Sequence, residues 1–152
     1  MRRAVTLLLS AATLGAALTT GVIPAAQART QSGAKVQLQS TSVGMILVNG
    51  RGFTLYLFAR DTRNHNTCVG IKGCAAVWPA LMTSGKPVAG SGVKSSLLGT
   101  IKLSGGKQQV TYAGHPLYTY VGDTRPGSTS YVGVRQFGAA WDALSAAGQT
   151  VK

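Results

Sequence analysis

The chain has 152 residues, with 15 Lys or Arg against three Asp and no Glu, a formal net charge of +12. That length sets a scale of one domain. With so few carboxylates a hard-cation site is thinly supplied, and the H-E-x-x-H and G-x-S-x-G signatures of metalloproteases and serine hydrolases are absent.

Arg2 and Arg3 form a positive n-region, Ala4 to Leu18 an uncharged apolar stretch, and Ala26-Gln27-Ala28 a small-x-small cleavage site. These predict a signal peptide over 1–28. Removing 28 of the 152 residues leaves 124, enough for one compact domain with its own core. Cys68 and Cys74 are the two cysteines, so none follows the apolar stretch to take a lipid anchor. No later segment reaches the roughly 18 apolar residues of a membrane helix. The mature chain is therefore expected to be secreted, without a membrane span, and in part cell-wall associated.

Loss of Arg2 and Arg3 leaves 13 basic residues against three acidic ones, a charge of +10. The cations are scattered, without the basic run or aromatic-interleaved motif of a specific nucleic-acid binder. They point to anionic cell-wall polymers or other envelope components as partners.

Residues 29–42 are small and polar and read as a flexible leader, with a sheet edge near Val36 to Leu38. "MILV", the turn "NGRG" and "FTLYLFA" predict a hairpin over 44–59. In "CVGIKGC" two glycines let a short loop close, and an exported C-x5-C pair reads as a structural disulfide between Cys68 and Cys74 rather than a zinc or redox site. "CAAVWPAL" (74–81) and "QFGAAWDAL" (136–144) carry at most one or two helical turns each. Gly-rich 83–96 reads as a linker. "TIKL", "SGGK" and "QQVTYA" predict a second hairpin over 100–113, "LYTYV" (117–121) a further strand, and the C-terminus a hairpin turning at Ala147-Gly148.

A repeat organises these elements. "GFTLYLFARDTR" and "GHPLYTYVGDTR" share a pattern, and "AAVWPAL" answers "AAWDAL". Tyr56, Phe58, Asp61 and Trp78 correspond to Tyr118, Tyr120, Asp123 and Trp141. Three landmarks holding register over about 62 residues imply duplication. The expected fold is mainly β: a single domain of two pseudo-symmetric repeats, at about 43–82 and 97–152, with one or two short helical turns.

Along a strand, residues two apart share a face. Tyr56 with Phe58, and Tyr118 with Tyr120, should each join a tryptophan in an aromatic cluster that packs the core, the alternative being an exposed stacking platform for sugars or a planar ligand. Asp61 and Asp123 end their strands, where a carboxylate accepts turn amides two residues on and pairs with Arg63 or Arg125. On that reading both carboxyls are partly buried, have depressed pKa values and stand far apart, each at its own turn. Two alternatives use the same residues. His115, Tyr118 and Tyr120 are ligand types for a metal or haem, and paired Asp61 and Asp123 would suit a hydrolase.

The doubled Y-x-[FWY]-x-x-D, present as "YLFARD" and "YTYVGD", resembles a bacterial family of secreted-repeat proteins, often lipoproteins, named for that motif. "CAAVWPAL", "LLGTIK" and "VTYAGHPLYTYVGDTRPG" share the resemblance, which spans residues 43 to 145. It implies export and a tandem repeat, and carries no assigned activity and no cofactor. The leading functional reading is a non-enzymatic binding or structural module of the envelope. N-terminal sequencing of the exported protein should begin at Arg29; a start before Gly21 would refute the cleavage site.

Overall fold

The structure, a computed structural model, describes residues 33–152. The predicted signal peptide and residues 29–32 of the leader lie outside the described residues. The rest of the leader is a strand: β1 (Lys35–Thr41) pairs antiparallel with β2 (Gly44–Asn49). β1 is central in its sheet, between β2 and a two-residue strand further along. Val36 and Leu38, two apart and so on one face, explain why: Val36 is fully buried and Leu38 packs against the same cluster.

The turn after β2 forms as expected. Asn49 Oδ1 accepts from the amides of Arg51 (2.9 Å) and Phe53 (3.1 Å). The predicted hairpin over 44–59 then stops after one bridge, Val48 with Thr54. β3 (Tyr56–Phe58) leaves β2 and pairs instead with a C-terminal strand described below. Between them in the chain, a disulfide joins Cys68 and Cys74, with both residues buried and Cα atoms 5.4 Å apart. The helix α1 (Cys74–Val77) is a single turn, closed by Trp78 N–H on the Cys74 carbonyl at 2.8 Å.

The predicted linker is partly structured. β4 (Met82–Thr83) opens it and β5 (Val88–Ala89) lies within it, adding in parallel to β1. The second hairpin is present, as β6 (Leu98–Lys102) and β7 (Gln108–Tyr112). β7 continues through Ala113-Gly114, at φ 51° and 86°, into β8 (His115–Pro116). Two consecutive positive φ values are what a tight two-residue hairpin turn requires. Residues 117–121 form no continuous strand, because Tyr118 is shared between isolated bridges to Tyr56 and Ala80.

The expected helical turn over 136–144 is a hairpin. β9 (Val134–Gln136) and β10 (Ala139–Leu144) are joined by Phe137-Gly138 at φ 55° and 88°. Gly138, which interrupts a helical pattern, here supplies the second residue of the turn. β10 pairs with β9, β3 and the terminal β11 (Thr150–Val151), which folds back through Gly148 at φ 75°. Over the described residues the fold is thus mainly β, in three small sheets, ordered β2-β1-β5, β11-β10-β3 with β9, and β4-β7-β6 with β8.

Two buried clusters hold the sheets together. One is aliphatic with Tyr112 at its edge; the other contains the motif aromatics and the disulfide. Closing so short a loop constrains the unfolded chain by about 2 kcal/mol in the loop-entropy account. A Cys68→Ser/Cys74→Ser variant should lose about that much in denaturant unfolding. An unchanged midpoint would show that the bond contributes nothing to stability.

Candidate functional site

The repeats meet at their motif tyrosines. Tyr56 N–H donates to the Tyr118 carbonyl and Tyr118 N–H to the Tyr56 carbonyl, both at 2.9 Å. This is a two-membered antiparallel pair on an approximate two-fold axis. The hydrogen bonds beyond it obey the same relation: Ala59 N–H reaches Ala140 O at 2.9 Å and, 62 residues on, Val121 N–H reaches Val77 O at 3.1 Å. Each aromatic segment therefore lies beside the tryptophan segment of the other repeat.

The rings repeat this symmetry. Trp78 and Trp141 stack at 4.0 Å between centroids with planes 3° apart. Tyr56 meets Trp78 edge-on at 5.1 Å, as Tyr118 meets Trp141 at 5.1 Å. Phe58 stacks on Trp141 at 4.2 Å, and Tyr120 lies against Trp78 at 4.3 Å. Within each repeat the motif tyrosine meets its tryptophan edge-on, whereas across the repeats Trp78–Trp141 and Phe58–Trp141 stack face to face and Tyr120 is tilted 38° against Trp78. Each pair contributes about 0.5–1.5 kcal/mol beyond its burial, so the interface is strongly held.

Both indoles are anchored on one residue. Trp78 Nε1 donates to Gln136 Oε1 at 2.8 Å and Trp141 Nε1 to the Gln136 carbonyl at 3.2 Å. Gln136 carried no sequence signal beyond standing five residues before Trp141.

The aspartates cross over as well. Tyr56 Oη donates to Asp123 Oδ2 at 3.0 Å, and Tyr118 Oη to Asp61 Oδ2 at 2.6 Å. Each carboxylate holds the tyrosine of the other repeat. This corrects the expectation that each aspartate serves its own turn. Asp61 does also accept the Thr67 amide and hydroxyl, both at 2.8 Å, which ties down the following loop six residues on rather than two. Arg63, expected at Asp61, donates to the Ala113 carbonyl at 3.1 Å.

The electrostatics of Asp123 also differ from the expected depressed pKa. Burial raises its carboxyl above the usual range, and the hydrogen bond from the Tyr56 hydroxyl only partly offsets that. Its Oδ1 completes no well-formed hydrogen bond within the protein. Asp142, in β10 opposite Leu57, is 3% exposed and likewise raised by burial, against the pull of Lys152. Tyr56 and Tyr118 are raised far above the ordinary phenol value, first by burial and then by the aspartates they bond.

The candidate ligand set is thereby spread over separate tasks. Tyr118 is fully buried with its hydroxyl on Asp61, and Tyr120 has its ring against Trp78. His115 is half-buried at the start of the segment, its pKa lowered by burial and by Arg63, with Asp61 acting the other way. Among the described residues no group of three or more His, Cys, Asp or Glu gathers as a metal cluster would.

The family model described as a secreted repeat of unknown function matches residues 38–82 and 99–145, once for each half of this symmetric core. The chain belongs to that family. Searches of curated proteins and of solved structures give no match. In this secreted-repeat protein, the residues that define the motif are those that join the two copies.

Removing the Tyr118 hydroxyl leaves Asp61 Oδ2 without its donor, and hydrogen bonds to charged groups contribute roughly 1.5–3 kcal/mol. Tyr118→Phe should lower stability by about that amount, whereas Asp123→Asn, which keeps an acceptor for Tyr56 and removes a buried charge, should cost less. Equal melting of Tyr118→Phe and parent would refute the clasp. The folded state holds protons on Asp123 and Asp142 more tightly than the unfolded chain. Their contribution to stability therefore grows as pH falls from above their raised folded values toward the unfolded value of about 3.9. Asp142→Asn should flatten that part of the melting-temperature profile, and a profile of unchanged slope would contradict the burial effect.

Proposed function

We propose that this exported domain is a non-catalytic module that adheres to polyanions of the cell wall or its surroundings. One observation carries the reading. Every Lys and Arg residue in the described span is exposed, while Asp123 and Asp142 are buried and Asp61 is spent on Tyr118 and Thr67. The outward charge is therefore of one sign. It is spread over the leader strand and over loops and strands of both repeats, from Lys35 and Arg51 to Lys107 and Arg135.

Such a surface attracts phosphate-, carboxylate- or sulfate-bearing polymers over about one Debye length, roughly 8 Å at physiological salt. Spread in this way, it suits a flexible polyelectrolyte better than a compact ligand. The alternatives ask more of the motif residues. A metal or haem would have to take Tyr118 from Asp61, and a hydrolytic pair would have to free Asp61 and Asp123 from their tyrosines.

Co-sedimentation and titration with a polyglycerol phosphate, against a neutral glucan, test the proposal. Binding to the anionic polymer alone is expected, with log affinity falling linearly against log salt as counterions are displaced. Single Lys→Gln changes should each weaken it a little, and changes at several distant lysines should add up. Binding that ignores salt, equal binding to the glucan, or a nucleic acid strongly preferred over a polyphosphate of like charge would overturn it.

A further inference from the structure

Five rings stand in one continuous column: Phe58, Trp141, Trp78, Tyr120 and Tyr131. Successive centroids are 4.2, 4.0, 4.3 and 4.0 Å apart. The first three rings are buried, and the last two are partly buried at the cluster's margin. The column therefore begins in the core and ends at the surface. Its order is also chemical, with a phenyl ring innermost, the chain's two indoles in the middle and two phenols outermost. Core packing accounts for the buried rings, but it does not call for the oxidisable ones to continue outward in contact.

We propose that this column conducts one-electron oxidising equivalents from the buried Trp78–Trp141 pair to Tyr131, making it an oxidation outlet. The starting charge separation has both partners in the fold. A light-excited indole gives an electron to the Cys68–Cys74 disulfide, which packs in the same buried cluster. The products are an indole radical cation and a disulfide radical anion, and dioxygen reoxidises the latter by taking its extra electron. Tyr120 then gives an electron to the indole cation and its phenolic proton to water, which restores the tryptophan. Tyr131 gives an electron to the Tyr120 radical, which regains a proton from water while Tyr131 loses its own. In sum, one electron has left Tyr131, one proton has entered the solvent, and a neutral tyrosyl radical stands at the surface. A hydrogen donor of the thiol or phenol class outside the protein can reduce it.

Two further phenols touch the indoles, and the structure distinguishes them from this route. Oxidation of Tyr56 or Tyr118 would push the proton onto Asp123 or Asp61, within hydrogen-bond distance inside the clasp. There it is held beside the radical and returns readily. At Tyr120 and Tyr131 the proton is diluted into water, which draws the oxidising equivalent outward.

The test illuminates the oxidised, folded protein in its indole band under air with a nitroso spin trap, and locates adducts and kynurenine-type products by peptide mass spectrometry. In the parent, adducts should concentrate at Tyr131. Tyr120→Phe keeps a ring in the column but cannot be oxidised, so Tyr131 adducts should fall severalfold and oxidation of Trp78 and Trp141 should rise. Tyr131→Phe should move the adduct to Tyr120. Near-ultraviolet circular dichroism matching the parent verifies that the rings still pack in both variants. Adducts scattered evenly over the tyrosines, or a Tyr120→Phe protein with parental adducts and parental tryptophan loss, would overturn the proposal.

Discussion

The two hydrogen bonds between the backbones of Tyr56 and Tyr118, each 2.9 Å, set the geometry on which the rest of the core depends. Once these residues are paired antiparallel, the strand that follows each one must run alongside the other repeat. Phe58 is carried to Trp141 and Tyr120 to Trp78, and the tyrosine side chains point across the axis toward the opposite aspartate. The motif is thus half of an interface whose other half is a second copy of itself. One repeat alone would present an unpaired tyrosine backbone, one face of a tryptophan and a carboxylate without its phenol. Solenoid repeats share this reliance on neighbours, although here two copies close on each other instead of stacking onward.

The carboxylates are the costly part of this arrangement. Burying them raises Asp123 and Asp142 above their ordinary pKa and leaves an oxygen of each without a partner. Buried polar groups are tolerated where they fix one arrangement against its competitors. The Tyr–Asp bonds can do so here, since an aliphatic core would accept several registers between two similar repeats. The same inward turn of the acids strips negative charge from the exterior. One placement therefore serves both the internal register and the cationic surface on which the proposed adhesion rests.

Stacking and hydrogen bonding divide the aromatic core between them. Each motif tyrosine meets its own repeat's tryptophan edge-on, the two tryptophans stack face to face across the repeats, and Gln136 fixes both indole N–H groups. The tryptophan planes are only 3° apart, an alignment that packing of two independent side chains does not require. It follows from the two-fold relation when equivalent rings meet near the axis. The outer rings continue the column because Tyr120 is the symmetry counterpart of Phe58 and Tyr131, in the loop between the second repeat's aspartate and tryptophan, packs against it.

The sequence alone determined the duplication, the β class and the Cys68–Cys74 pairing, because these follow from composition, spacing and local turn chemistry. The β6–β7 hairpin and the Gly148 turn are local in this sense and were legible. Partnership was not. A strand's sequence states which face is apolar but not which strand lies beside it, so proximity in the chain suggests β2 as the mate of β3, which instead pairs with β10. The aspartates show the same limit, since their bonds span 57 and 67 residues, and turn propensity can suggest only an acceptor close by. Gln136 and Asp142 left no local signal, since what they do depends on groups brought to them from elsewhere. Tertiary structure decided these matters, because hydrogen bonds and ring stacking act over a few ångströms in space, whatever the distance along the chain.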